Sequence, residues 1–297
     1  MTALFQKACL AIGTLDGKLS SSRLRDGWAC RRRISATVSA AAADGIKIDP
    51  SRLVRLLTGL HVVRWRDFGA EAAAIRIFGE TAGQGEAADL LVERVVGEVS
   101  VSNVVSATLA AVEAGMPRSS AFIAFPFVLR RLGLTEHVLV GISPLSQFGQ
   151  PDQALLDSAI RGRRELETLS LSWSRWTRAL GRRNSNSRHL SVLAAAASMT
   201  AVAPAQIARM HGMTTRGAAL LLAEMVELGI MREVSGRETW QVYQVEDMHG
   251  RQEETAEEID MPDLAALMTD LDSVMRQVEK RLEPRLTEFN ELENGSE

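Results

Sequence analysis

The segment from Thr200 to Val245 contains two short helical patterns separated by a glycine. This order of elements limits the possible folds more than any other feature of the sequence. Pro204 follows a loop and suits the first position of a helix, where the N–H group that proline lacks is not needed. Ile207 and Met210 are expected on the inner face of that helix. Gly212 predicts a tight turn directly after it, because glycine adopts left-handed backbone angles at little energetic cost.

A second helix is predicted after this turn. Thr214 or Thr215 can cap it by accepting hydrogen bonds from its free N–H groups. Its apolar residues recur at helical spacing and are expected to pack against the first helix: Leu220, Leu221, Met225 and Leu228. The run 231–245 then alternates around Ser235 and Gly236, which predicts a β-hairpin. These patterns together predict a winged helix-turn-helix, a module that commonly places its second helix in a DNA groove.

The start of the second helix holds the residues expected to contact DNA. Thr214, Thr215 and Arg216 are the candidates for base contacts, and Arg237 is expected at the tip of the hairpin. The rest of the outer face is small and apolar, so the helix could approach a groove closely while contacting few bases. Winged helices also bind proteins, so a protein–protein interaction module is the alternative.

The charges of the chain are distributed unevenly around a net charge of −3. Residues 246–297 contain 16 Asp and Glu against 5 Lys and Arg, a balance of −11, which leaves +8 on the remaining 245 residues. Much of this excess lies in one stretch of arginines: Arg161, Arg163, Arg164, Arg175, Arg178, Arg182, Arg183 and Arg188. Arg182, Arg183 and Arg188 lie nearest the module and are expected to contact DNA phosphates. A solvated helix face and linker is the alternative interpretation.

The predicted fold class is mainly α, with a small β-hairpin. We expect a helical N-terminal domain over 1–180, a linker over 181–187, the winged helix-turn-helix over 188–245, a loose acidic segment over 246–261 and an amphipathic helix over 262–297. The pattern within the first domain predicts single helices over 23–43, 90–113 and 152–180, and a short extended run over 138–140.

The amphipathic C-terminal helix is expected to form a homodimer. Its apolar residues follow alternating three- and four-residue steps, as in a coiled-coil seam: Met268, Leu271, Met275, Val278 and Leu282. A two-fold dimer would present two recognition helices to DNA. A helix docked on its own chain is the alternative.

Composition argues against several other classes of protein. An apolar fraction of 46% is ample for a core. No apolar run reaches the ~18–20 residues of a membrane span, and the N-terminus lacks a secretion-signal pattern, so we expect a cytoplasmic protein without membrane contact. Cys9 and Cys30 are too few for a disulfide framework. No cysteine–histidine cluster has metal-site spacing, so neither a metal nor another cofactor is expected.

The stretch from Gly115 to Ser143, GMPRSSAFIAFPFVLRRLGLTEHVLVGIS, resembles Fic proteins, helical nucleotidyl transferases that often carry a C-terminal winged helix. In that family a loop of the form HPFxxGNGRxxR precedes a helix, and residues 134–143 correspond to a short run beyond that helix. The sequence IMREVSGRETWQVYQV is similar to the family's wing. The resemblance extends thinly over residues 1–245 and implies a Fic-like scaffold. The layout also resembles rhizobial helix-turn-helix proteins of unknown function.

The resemblance does not carry over the catalytic residues of the Fic family. It aligns Ala110 with the histidine that acts as general base, and alanine cannot accept a proton. Met116 and Pro117 replace the Asn-Gly of the phosphate cradle, and Pro117 lacks a backbone N–H that such an anion site needs. Ala121 replaces the second arginine. We therefore expect no enzymatic activity, and a cryptic nucleotidyl transferase is the least favoured alternative.

These patterns favour a transcriptional or plasmid-type regulator that binds DNA with full or partial sequence specificity. The acidic residues 246–297 are expected to compete with DNA for the basic surface.

Overall fold

The prediction of a mainly α fold is confirmed by a computed structural model, which describes residues 2–58, 68–82, 86–145, 150–181, 188–236 and 241–248. The helices are α1 (Ala3–Ser20), α2 (Arg25–Ala43), α3 (Pro50–Leu57), α4 (Phe68–Glu80), α5 (Glu86–Arg94), α6 (Val101–Glu113), α7 (Arg118–Arg131), α8 (Pro151–Leu180), α9 (His189–Ala197), α10 (Pro204–His211) and α11 (Thr215–Glu227). Two short strands follow, β1 (Met231–Glu233) and β2 (Tyr243–Val245). All these elements belong to one compact unit, Met1–Gly250. None of the helices in these ranges combines the length and the apolar composition that crossing a bilayer requires.

α1 and α8, the first and last helices of residues 1–180, pack against each other. α1 buries a stripe at three- and four-residue spacing, Phe5, Ala8, Ile12, Leu15 and Leu19, as an amphipathic helix does. Gly162 of α8 lies beneath this stripe, where a β-carbon would be 3.0 Å from Leu15 Cδ2. The Trp28 indole of α2 donates to the Gly162 carbonyl at 2.8 Å. Glycine therefore lets three helices approach closely at this point.

α7 is buried on all sides along most of its length. Every residue from Ala121 to Leu129 is buried, and α2, α5 and α6 pack around it. A helix that is apolar all round needs neighbours all round. Its start is tied to the end of α2, because the Ser119 N–H donates to the Asp44 carboxylate at 3.1 Å.

Two of the sequence predictions for this region are wrong. The single helix expected over 90–113 is two helices, because Gly97 takes a left-handed φ of 85° after α5. Ser100 then caps α6 by accepting from the Asn103 N–H at 3.3 Å. The run 138–140 is a buried turn rather than a strand, with the Val140 N–H donating to the Val138 carbonyl at 3.0 Å. Both regions are rich in apolar, β-branched residues, so the sequence pattern did not reveal the break after α5 or the turn at 138–140.

The carbonyl groups of this buried turn bind Arg32 of α2. Its Nε donates to Val140 O at 3.0 Å, its Nη2 to Gly141 O at 2.9 Å and its Nη1 to Glu165 Oε1 at 3.0 Å. The Arg32 side chain is only 4% exposed. A buried guanidinium is tolerated when its donors are satisfied and its charge is paired, and both conditions hold here.

We predict that Arg32→Gln lowers the free energy of unfolding by about 3–5 kcal/mol, the effect of breaking a buried, hydrogen-bonded ion pair. Urea unfolding followed by circular dichroism measures the change. Arg178→Gln, at an exposed position of α8, is the control and is expected to stay within about 0.5 kcal/mol. Equal effects of the two substitutions would contradict this role for Arg32.

Candidate nucleic-acid interface

α10 and α11 are joined by a turn whose predicted determinants are both confirmed. Gly212 takes left-handed angles, φ 58° and ψ 48°, and its N–H donates to the Ala208 carbonyl. Thr214 is the N-cap of α11, and its Oγ1 accepts from the Gly217 N–H at 3.1 Å. The Thr214 hydroxyl oxygen therefore caps the helix, and Thr215 is the first residue of α11.

The buried face of α11 confirms most of the predicted stripe. Met225 is buried, and Leu221 and Leu228 are partly buried against the core. Leu220 is the exception at 65% exposed, and Leu222 is buried in its place. Three consecutive leucines, at positions 220–222, allow more than one helical stripe, and packing on α10 and β1 selects the one through Leu222. On α10, Ile207 is buried as expected but Met210 is 49% exposed.

The predicted hairpin is present as a strand pair with a third, shorter partner. β1 and β2 are antiparallel, with Met231 opposite Val245 and Glu233 opposite Tyr243. Val202, between α9 and α10, exchanges two hydrogen bonds of 2.8 Å with Tyr243. Sequence analysis missed this pairing, because one residue between two helices gives no alternation to detect. β2 therefore lies between β1 and Val202.

The carboxylate of Glu233 organises the turn that leaves β1. Its Oε1 accepts from the backbone N–H groups of Ser235 at 2.8 Å and Gly236 at 3.1 Å, and also from the Ser235 hydroxyl. Burial opposes ionisation, but the hydrogen bonds from Ser235, Gly236 and Val242 outweigh it and lower the pKa of Glu233. The charged form is thus the one that the folded turn stabilises.

Of the arginines predicted to contact DNA outside α11, one is described by the structure and three are not. Arg188 is described, and its Nη1 donates to the carbonyl groups of His211 at 2.8 Å and Gly212 at 3.2 Å. Its charge therefore lies at the carboxyl end of α10, where the helix dipole favours a cation. Arg182, Arg183 and Arg237 lie outside the described residues.

The amino-terminal turn of α11 is open to solvent. Thr214, Thr215 and Arg216 are all exposed. Arg216 forms no ion pair with any residue in the described ranges. Further along the helix, Glu224 accepts from or pairs with His189 Nε2 at 2.7 Å, which ties α11 to the start of α9.

Residues of the segment 188–248 that lie outside α11 contact α2. A β-carbon on Gly27 would be 2.9 Å from the Ala197 carbonyl at the end of α9. Arg31 donates from Nη1 to that same carbonyl at 2.9 Å and from Nη2 to Asp247 Oδ1 at 2.7 Å. Cys30 Sγ lies 3.8 Å from Thr200 Oγ1, and burial raises the pKa of this thiol. These contacts leave α11 to pack on α10 and β1.

α8 carries an exposed stripe that is mostly basic. Its members recur every three or four residues and so share one helical face: Arg161, Arg164, Thr168, Leu171, Arg175 and Arg178. We call this the α8 stripe. Arg175 pairs with Glu246 at 3.0 Å, whereas Arg163 lies off the stripe and is 3.7 Å from Glu167.

The segment that resembles the Fic loop is a short connection between α6 and α7. Ala110 is exposed in the last turn of α6, and Gly115 takes a φ of 100°. Pro117 is the N-cap residue of α7 and offers no side-chain hydrogen bond to the helix. Ala121 is fully buried. No side chain at these four positions can transfer a proton.

No protein-family model matches the chain. No curated protein matches it either.

We predict that Glu233→Gln lowers the melting temperature by a few degrees at most at pH 7, because the neutral amide is a weaker acceptor for the turn. The folded pKa of Glu233 is lowered, so its stabilisation is fully present above the ordinary glutamate value of about 4.3. It is lost as the pH falls through the folded value.

The difference in melting temperature between wild type and Glu233→Gln should therefore shrink below pH about 4. Glu227→Gln, at an exposed position on α11, is the control. A difference that persists unchanged at pH 3 would show that the charge of Glu233 is not responsible.

Proposed function

We propose that residues 188–245 form a winged helix-turn-helix and that the chain is a DNA-binding regulator. The observation that carries this proposal is the open amino-terminal turn of α11, where Thr215 and Arg216 are exposed while Thr214 caps the helix. Recognition helices of this class contact base edges with their amino-terminal residues. The rest of the described chain leaves that turn accessible.

The chemistry of α11 favours limited base recognition. Arg216 can donate two hydrogen bonds to one guanine, and the Thr215 hydroxyl can bind either a donor or an acceptor. Gly217, Ala219 and Ala223 add no polar groups, but their small size permits a close approach to the groove. Binding would therefore combine few base contacts with recognition of DNA shape.

The α8 stripe supplies a candidate phosphate-binding surface. Its arginines extend from Arg161 to Arg178, 17 helical steps of 1.5 Å or about 25 Å of helix. Phosphate contacts of this kind raise affinity for all sequences alike. Arg188 would contribute less than the sequence predicted, because its guanidinium already binds the carboxyl end of α10.

A homodimer would present two copies of α11, and this stays a prediction. Its proposed contacts are outside the described residues: Met268, Leu271, Met275, Val278 and Leu282. We do not propose transferase activity, because the resemblance to Fic proteins aligns Ala110 with the general base and Pro117 with the phosphate cradle, and neither residue can perform that role.

A protein–protein interaction function is the second candidate, and one observation favours it. Leu220 is 65% exposed at the middle of α11, one helical turn from Arg216 and from Glu224. An exposed leucine can be buried by a protein partner, although it can also contact a thymine methyl group. Leu220→Gln tests this alternative, because it removes the apolar contact without adding a charge one helical turn from Arg216. The protein-interaction alternative predicts that this variant loses a protein partner and that the wild-type chain binds no DNA.

We predict that Arg216→Ala weakens binding to the preferred DNA site by about 1–3 kcal/mol and reduces the preference over scrambled DNA. Fluorescence anisotropy at fixed salt measures both, with the DNA upstream of the chain's own gene as probe. Arg55→Ala, at an exposed position on α3, is the control and should leave binding unchanged. Failure of the wild-type chain to bind any DNA at ~50 mM salt would reject the proposal.

We predict that Arg164→Gln combined with Arg178→Gln flattens the dependence of log K on log salt by about 0.9 for each phosphate that the variant no longer neutralises. The decrease in affinity should be the same for preferred and scrambled DNA. Arg163→Gln, one residue from the stripe on another face, is the matched control. A decrease confined to the preferred sequence would indicate base contacts instead of phosphate contacts.

A further inference from the structure

A cleft of about 580 Å³ opens between α5 and the turn from α6 to α7. Its lining comes from α4 to α7 and from the connection between α6 and α7, and the described residues of 188–248 do not contribute to it. Its volume is within the range of small-molecule sites, about 300–1,000 Å³. The cleft is therefore separate from the candidate nucleic-acid interface.

The floor of the cleft is apolar. Met116, Ile123 and Phe127 supply its larger side chains, and Ala111 and Ala124 lie between them. The small residues create the space, because alanine on packed helices leaves room that a larger side chain would fill. An occupant would bury an apolar body here.

Three charged residues line the cleft around this floor. Glu80 pairs with Arg76. Glu86 and Arg94 lie in the first and last turns of α5, about 12 Å apart along the helix axis, and within the described chain Arg94 forms no ion pair. The cleft therefore has an anionic end at Glu86 and a cationic end at Arg94, with apolar lining residues between them.

The apolar surface extends beyond the cleft at the Arg94 end. Leu90 is 45% exposed, and just after α5 Val96 is 82% and Val99 47% exposed. Leu90 lies one helical turn before Arg94, and Val96 and Val99 follow it closely in sequence. A cation beside exposed apolar side chains is complementary to an amphipathic anion. The guanidinium fork also matches a carboxylate better than it matches any neutral group.

We propose that this cleft binds an apolar monocarboxylic acid of medium chain length, with its carboxylate on Arg94 and its chain over Met116 and Phe127. Glu86, in the first turn of α5 at the other end, repels a second anionic group. The site thereby selects a monocarboxylate over a dicarboxylate of the same length. This binding does not depend on the DNA-binding function.

Isothermal titration calorimetry of the full chain with decanoate, decanedioate, decylammonium and 1-decanol tests the proposal. Decanoate should bind saturably, one per chain, about tenfold or more tighter than each of the others, as loss of a charge-assisted hydrogen bond implies. Arg94→Gln should reduce decanoate binding to the level of decanol. Arg55→Gln, at an exposed position on α3 outside the cleft lining, is the control and should leave decanoate binding unchanged.

Two further measurements locate the site. Ala114→Phe, at an exposed position of the lining, should weaken binding of all four probes, with the melting temperature as a check on folding. Independently of any variant in the cleft, decanoate should shift the NMR signal of the Met116 methyl group and leave that of Met213 in place. Absence of saturable decanoate binding, equal or tighter binding of decylammonium, or no effect of Arg94→Gln would overturn the proposal.

Discussion

Three consecutive arginines on α2 connect the parts of the molecule that lie far apart in sequence. Arg31 binds the Ala197 carbonyl and Asp247, Arg32 binds the turn at Val140 and Gly141, and Arg33 binds the Phe78 carbonyl and stacks over its ring. Consecutive helical residues point about 100° apart, so each guanidinium reaches a different element. Their donors satisfy carbonyl groups that no regular secondary structure would satisfy.

The candidate DNA-binding surface depends on this arrangement. Arg31 and Gly27 hold the end of α9 against α2, and the strand pair of Val202 with Tyr243 carries that position on to β2. α11 packs on α10 and β1, and this packing positions its amino-terminal turn. Arg216 in that turn stays exposed. A loosened α2 contact would therefore alter the orientation of α11 without changing any residue on it.

Local signals were predictable from the sequence where one residue decides the geometry. Gly212 and Thr214 determine the turn and the cap, because a left-handed angle and an N-cap oxygen suit few residue types. The buried face of α11 was predictable only in part: Met225 is buried as the pattern indicates, but leucines at 220–222 support several stripes, and packing buries Leu222 instead of Leu220. The role of Arg32 was also hidden, since its partners lie over 100 residues away in a turn without a motif.

The central claim is that the amino-terminal turn of α11 contacts DNA, and hydrogen–deuterium exchange of the full chain with and without bound DNA tests it most directly. We expect slower exchange in peptides that cover 212–220, with peptides of α5 and α6 unchanged. Amide exchange reports local opening, so DNA bound at this turn should suppress its opening. Protection confined to other helices, with 212–220 unaffected under saturating DNA, would contradict DNA contact by this turn.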